Sequence, residues 1–231
     1  MDDFFARSEA LLGEKAMETL RNTRVIIFGV GGVGSYAAEA LIRTGLTHLT
    51  IVDGDTVQPS NLNRQLPATR ATIGLPKVEA LKARLLEINP DAEIIIVPEM
   101  INGEWLAVSG LAGYDYVIDA IDSVNNKTDL ILYATRARVK IFSSMGAALR
   151  FDPTQVTTGE LMAIKGDALA KAVRARMKKL DVHPYKKVRC VYSTEQAQRC
   201  ETRGSLMQVT AVFGLTLASL VIQDITNQAK L

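Results

Sequence analysis

The sequence predicts an α/β fold: a Rossmann-like, mostly parallel sheet flanked by helices, continued by a C-terminal α/β extension. Three observations predict it. Short apolar, β-prone runs alternate with helix-like segments, the pattern of right-handed crossovers. The stretch Val25-Ile-Ile-Phe-Gly-Val-Gly-Gly-Val-Gly34 reads as a buried strand running into a glycine turn. Asp53 then ends the next strand, about 20 residues further on, where a ribose-binding acid would stand.

The elements follow in order. The first strand covers 24–30, and its uncharged run Val25–Val30 suits a strand buried on both faces. A helix runs from Ser35 to about Arg43, and Thr47–Asp53 is the second strand. Gly54–Leu75 is polar and irregular. Pro76 suits the first turn of a helix to about Ile88, because its fixed φ and missing N–H cost nothing there. Ala92–Val97 is the third strand, Gly103–Leu111 a short helix, Tyr114–Asp119 the fourth strand, Asn125–Arg138 a helix and Lys140–Ser144 the fifth strand. Beyond Gly146 the alternation loosens. Gln155–Thr158 is β-prone, Lys165–Leu180 is a basic helix, Val188–Ser193 is a further strand, and residues 194–204 read as polar and mobile. Residues 1–150 thus form a core and 151–231 an extension, within one continuous domain.

Composition narrows the class. A chain of 231 residues, 48% hydrophobic and 23% charged, suits one large soluble domain. A net charge of +2 steers no nucleic acid globally, so any such surface is local. Cys190 and Cys200 form no disulfide framework, and the N-terminus lacks the basic segment of a signal peptide; both indicate a cytoplasmic protein. The absence of a CxxC motif excludes a Cys₄ zinc site. The uncharged run Leu206–Ile222 approaches the ~20 residues of a membrane span. Its interspersed Gln208, Thr210, Thr216 and Ser219 favour a helix closing the core over membrane association.

The turn glycines Gly29, Gly31, Gly32 and Gly34 bring backbone and helix-start N–H groups to an anion. Four further features lie at the carboxyl ends of predicted strands, where open sheets bind ligands. These are Asp53-Gly-Asp55, the segment Ser60-Asn-Leu-Asn-Arg-Gln65, Lys77, and Asp122 with Ser123. Each suits ATP. Asp53 accepts from a ribose hydroxyl, Arg64 forks onto phosphate oxygens, and Lys77 adds a point charge. Asn61 and Asn63 orient phosphate or substrate, and Asp122 holds Mg²⁺ with waters. A nicotinamide enzyme would use Asp53 but has no task for Arg64, Lys77 and Asp122. Each residue also has a structural alternative. Arg64 and Lys77 could be surface cations, Asp55 could cap a turn, and Asp122 could cap the following helix.

These residues resemble the ubiquitin-activating-type adenylyltransferases. The resemblance is carried by GVGGVGS, Asp53-x-Asp55, SNLNRQ, GLPKVEAL at Gly74–Leu81, INP at Ile88–Pro90 and DAIDSVNNK at Asp119–Lys127. It implies attack of a carboxylate on the α-phosphate of ATP, giving an acyl-adenylate. It further implies Gly32 at the phosphate turn, Asp53 at the ribose, Asn61, Arg64 and Lys77 around the phosphates, and Asp122 as the Mg²⁺-associated acid. Arg7 matches the N-terminal arginine that reaches a partner subunit's ATP, which implies a homodimer. RTG at Arg43–Gly45, FDPTQV at Phe151–Val156, CVYSTE at Cys190–Glu195 and VTAVFG at Val209–Gly214 are similar to the bacterial tRNA threonylcarbamoyladenosine dehydratases. That subfamily implies ATP-driven cyclisation of a threonylcarbamoyl group beside the anticodon, with tRNA as partner. It also leaves places for a structural monovalent cation and a cysteine desulfurase/sulfur-acceptor partner. The segment between Glu195 and Arg203 is short for the subfamily. The alternative activity is adenylation of a ubiquitin-like sulfur carrier.

The basic run Lys171, Arg174, Arg176, Lys178, Lys179, Lys186, Lys187 and Arg189 is a candidate tRNA surface, with a solvated helix face as its alternative. Cys190 lies in an apolar run and reads as a buried thiol. His183 has no ligand-like neighbour in sequence.

Overall fold

The computed structural model describes residues 3–202 and 204–229. Seven strands form one sheet: β1 (Arg24–Phe28), β2 (His48–Val52), β3 (Glu93–Val97), β4 (Tyr116–Asp119), β5 (Lys140–Ser144), β6 (Val156–Glu160) and β7 (Arg189–Ser193). Their spatial order is β3-β2-β1-β4-β5-β7-β6. Every neighbouring pair is parallel except β6 and β7. The extension therefore continues the sheet of the core: β7 pairs directly with β5 through Phe142↔Arg189 and its neighbours.

Eight helices cover the two faces: α1 (Ala6–Leu12), α2 (Glu14–Asn22), α3 (Gly34–Thr44), α4 (Lys77–Ile88), α5 (Gly103–Val108), α6 (Val124–Arg136), α7 (Ala168–Lys179) and α8 (Met207–Ala229). One apolar cluster joins α2, α3, α4 and α8 to one face through Met17, Leu41, Leu81 and Phe213. The other joins α5, α6 and α7 to the opposite face through Leu106, Leu130 and Val173.

Most expected elements are present with trimmed ends. Pro76 flanks α4 rather than opening it, with ψ at 133°. Helices α1 and α2, before the first expected strand, are additional. Helix α2 buries Ala16, Met17 and Leu20 on one face, a helical spacing that a sequence reading could have used. Helix α1 buries nothing, so no periodicity marks it.

Helix α8 is long and apolar enough to cross a membrane, with mean hydropathy 1.6, but half of that window is buried in the fold. Its close approach to α3 explains the glycine in VTAVFG. A Cβ on Gly214 would stand 2.2 Å from the Val33 carbonyl oxygen. The helix is apolar because it packs against the sheet and α3, as the sequence reading preferred. The stretch 194–202, expected to be mobile, is tied at several points. Gln198 N–H donates to Leu149 O at 2.8 Å, and the Glu195 carboxylate accepts from the N–H groups of Phe151 and Asp152. Arg203 lies outside the described residues.

Candidate active site

Strand order reverses between β1 and β4, and a cleft of about 420 Å³ opens there at the carboxyl edge of the sheet. Its floor is the glycine turn. Gly29 ends β1 by turning left-handed at φ +83°, and a Cβ there would meet Ala120 O at 2.8 Å. At Gly34 a Cβ would fall 1.8 Å from the Gly29 carbonyl oxygen, so α3 can start at this point only on glycine. Gly31 and Gly32 present bare backbone between Gln65, Arg64 and Thr210. The α3 N-terminus thus faces the cleft with free N–H groups and the positive end of its dipole.

Asp53 is fixed by two backbone donors. Its Oδ2 accepts from Val30 N–H at 2.8 Å and its Oδ1 from Asp55 N–H at 2.9 Å. Asp53 is therefore the acid that closes the turn, and each oxygen keeps a lone pair for a ribose hydroxyl. Asp55 does not cap: its Oδ2 accepts from Lys77 Nζ at 2.7 Å. Lys77 is not a surface cation, since its side chain is only 8% exposed and lies in the cleft wall. Arg64 also lines the cleft, braced by Ser60 O at 2.9 Å and Asn63 Oδ1 at 2.8 Å.

The SNLNRQ segment divides its tasks. Asn61 is buried in the cleft wall, and its Oδ1 accepts from Gln58 N–H at 3.0 Å. Gln65 is buried beside Gly31, and its Oε1 takes no hydrogen bond from a described residue, an acceptor free for a ligand. Asn63, expected to orient phosphate or substrate, does not line the cleft. Its amide donates to Ser205 O at 2.9 Å, which ties this loop to the start of α8. The α6 cap is Ser123, whose Oγ accepts from Asn126 N–H at 3.5 Å. Asp122 is thereby free of capping and stands exposed in the cleft wall.

Two buried ion pairs, absent from the sequence expectations, hold the cleft walls. Lys127 is fully buried and spends its three donors on Asp119 Oδ2 at 2.6 Å, Ser144 O at 2.9 Å and Ser143 Oγ at 3.3 Å. Asp119 also accepts from Ile121 N–H and Ser143 Oγ–H. This knot joins the ends of β4 and β5 to α6, and so sets the loop that carries Asp122. Arg150 pairs with Asp167 at 3.3 Å and donates to Gly146 O, fixing the Gly146–Ala148 wall. The signal for the Asp119–Lys127 pair was Asp119 closing the apolar run 116–118, where unpaired charge is not tolerated, with a lysine eight residues on.

Other expected residues lie elsewhere. Arg7 is exposed on α1 and does not line its own chain's cleft. Neighbouring Phe5 approaches Gly45, at the far end of α3 from the glycine turn. The basic run does not form one surface at the cleft. Lys171 is exposed in the first half of α7, near cleft-lining Leu169. Arg174 turns inward to Leu161 O at 2.8 Å, and Arg176 pairs with Asp129. Lys178 and Lys179 end α7, and Lys186 and Lys187 follow it, toward the amino edge of the sheet where β7 begins. Lys186 and Lys187 there line a separate open cleft of about 690 Å³ that contains none of the residues expected at ATP. Burial pushes the Cys190 thiol up to about 12, so it is protonated and inert at neutral pH; Cys200 is exposed.

The ThiF family pattern matches residues 5–231. The tRNA threonylcarbamoyladenosine dehydratase of Bacillus subtilis is 40% identical over 191 residues, 83% of this chain and 74% of that protein. The crystal structure of the Escherichia coli tRNA N6-threonylcarbamoyladenosine dehydratase in complex with ATP superposes with a TM-score of 0.93 at 36% identity, covering 99% of this chain and 96% of that one. The Escherichia coli molybdopterin-synthase adenylyltransferase is 38% identical over 135 residues, which cover 58% of this chain and 53% of that protein.

Proposed function

Because the chain belongs to the ThiF family, we propose that it is an ATP-dependent tRNA threonylcarbamoyladenosine dehydratase. The observation that carries this reading is the extent of the match. The dehydratase structure matches 99% of the chain, β6, α7, β7 and α8 included, whereas the molybdopterin-synthase adenylyltransferase aligns with 58% of it. The C-terminal third is included in the match to the dehydratase.

The chemistry is that of carboxylate activation. A carboxylate is a poor electrophile because its charge repels a nucleophile. The threonine carboxylate of the modified adenosine attacks the α-phosphorus of ATP, and pyrophosphate leaves. An internal nucleophile of the same threonylcarbamoyl group then attacks the acyl carbon, closes the ring and expels AMP. The modified adenosine has then lost one water. The chain's own part is positioning and charge stabilisation on phosphorus. The glycine turn and α3 N-terminus hold phosphate, Asp53 holds the ribose, and Arg64 and Lys77 face the charge that develops on the phosphates. Asp122 suits Mg²⁺ as an exposed carboxylate in the cleft wall, since this ion is commonly held by one or two carboxylates with phosphates and waters. It would neutralise phosphate charge. Lys171, exposed two residues beyond cleft-lining Leu169, would meet tRNA.

The decisive assay supplies ATP, Mg²⁺ and tRNA carrying threonylcarbamoyladenosine, then weighs the digested nucleoside. The expected result is the loss of one water with one AMP formed per ring closed. An unchanged nucleoside, together with ATP–pyrophosphate exchange triggered by a sulfur-carrier protein, would assign the alternative activity.

The chain acts as a homodimer in which Arg7 reaches the partner's ATP. What supports this is that α1 buries no residue, leaves Leu11 84% exposed, and packs away from its own cleft. Mixing inactive Arg7→Ala with inactive Asp122→Ala protein is expected to restore partial turnover, because one mixed site keeps both residues. No recovery despite demonstrated subunit exchange would rule the crossed arrangement out.

A further inference from the structure

The amino edge of the sheet, opposite the nucleotide cleft, carries aromatic and cationic groups that the reaction does not use. The ends of α6 and α7 and the loop after α7 enclose a pocket of about 320 Å³, lined by Tyr133, Arg136, Asp181, His183 and Tyr185 with Leu132 and Val182. Tyr185 is 64% exposed, unusual for so large an aromatic. It is nevertheless held. Its N–H donates to Thr135 Oγ1 at 3.3 Å, and the Arg136 guanidinium lies over its ring, 5.7 Å from the centroid. Lys178 and Lys179 end α7, just before the lining residue Asp181, and Lys186 follows Tyr185 in the chain; all three are exposed and, among the described residues, none is bridged to a carboxylate. Asp181 is the one acid in the lining.

An exposed ring and a guanidinium plane, set in a small pocket with exposed lysines next to it in the chain, form a stacking platform with positive charge beside it. Single-stranded nucleic acid is bound this way: a base stacks on the aromatic face while lysines hold the flanking phosphates. An apolar protein partner would need no such lysines, and a membrane would need no base-sized pocket. The twelve residues of α7 separate this pocket from the cleft by about 18 Å. A base held here is therefore not the reacting adenosine.

We propose that the Tyr185–Arg136 pocket, with Lys178, Lys179 and Lys186, binds an unpaired nucleotide of the tRNA substrate at a distance from the nucleotide that reacts. This rests on the tRNA reading above and adds a second contact to it. It also accounts for cations at this edge that are too far from the cleft to serve ATP.

The experiment compares two substrates, full-length tRNA and a short anticodon stem-loop, both carrying threonylcarbamoyladenosine. Tyr185→Ala is expected to raise KM for full-length tRNA about tenfold with kcat unchanged, while Tyr185→Phe, which keeps the ring, stays near wild type. Neither change affects the stem-loop or the affinity for ATP. Replacing Lys178, Lys179 and Lys186 with alanine is expected to lower the slope of log Kd against log salt for full-length tRNA by about 2. An unchanged KM for full-length tRNA in Tyr185→Ala, or equal losses on both substrates, overturns the pocket while leaving the tRNA reading intact. Unaltered tRNA affinity with lost binding to anionic phosphatidylserine vesicles overturns it in favour of a membrane surface. Absence of wild-type turnover on either substrate overturns the tRNA reading and this proposal together.

Discussion

Lys127→Met is expected to destabilise the protein by about 3–5 kcal/mol, a large share of the 5–15 kcal/mol that typically holds a domain folded. Lys127 and Asp119 are both fully buried. Methionine fills the space of the lysine stem but leaves the Asp119 carboxylate in the core with only the donors of Ile121 and Ser143. The loss therefore measures an uncompensated buried charge and not the strength of one bond. Adding Asp119→Asn to Lys127→Met removes that charge and is expected to restore part of the stability, so the double variant lies well above the sum of the single losses. Urea unfolding of the four proteins, with comparable m-values, reads this out. A Lys127→Met midpoint close to wild type would show that Asp119 is not held by Lys127. The same knot fixes the loop bearing Asp122, so ATP affinity should fall before the fold is lost.

Lys77→Ala is expected to lower kcat by about 10²–10³-fold, the effect of removing one preorganised charge from a developing phosphate oxyanion. The fold should survive. The partner carboxylate of Asp55 is 52% exposed and returns to water when the ammonium is removed. Lys77→Arg is not expected to rescue, because a planar fork does not fit a buried slot shaped for one Nζ on one carboxylate oxygen. Asp55→Ala should cost less than Lys77→Ala, since it removes the brace and keeps the cation. Pyrophosphate release on saturating tRNA, alongside thermal melts, checks all three. Wild-type turnover in Lys77→Ala would return this lysine to a purely structural pairing with Asp55.

The cleft residues that sequence order could identify share one property: their role follows from local position. A glycine at a strand–helix turn and an acid at a strand end are placed by neighbours a few residues away. Lys77 belongs with these, because it opens α4 at the carboxyl edge. Asn63 looked equivalent to Asn61 on the same grounds. Only the meeting of its loop with Ser205, far along the chain, made it a tie instead of a cleft residue. Helix α1 was illegible because none of its residues is fully buried and only Leu12 packs in part against the core.

The sequence by itself determined the strand–helix alternation, the glycine turn, and the set of acids and cations at the carboxyl edge, because each is written in short-range pattern. The tertiary structure alone decided three things. Asp119 and Lys127 pair in the core, since the buried charge of one needs the other. Ser123 caps α6, which frees Asp122 for the cleft. The basic run is divided between opposite edges of the sheet, because α7 crosses the full length of the strands and carries its last lysines away from the nucleotide. The ion pair and the cap join residues close in the chain, but only the folded backbone selects them among the polar neighbours of one motif; the division of the basic run is a matter of crossover that no local spacing records.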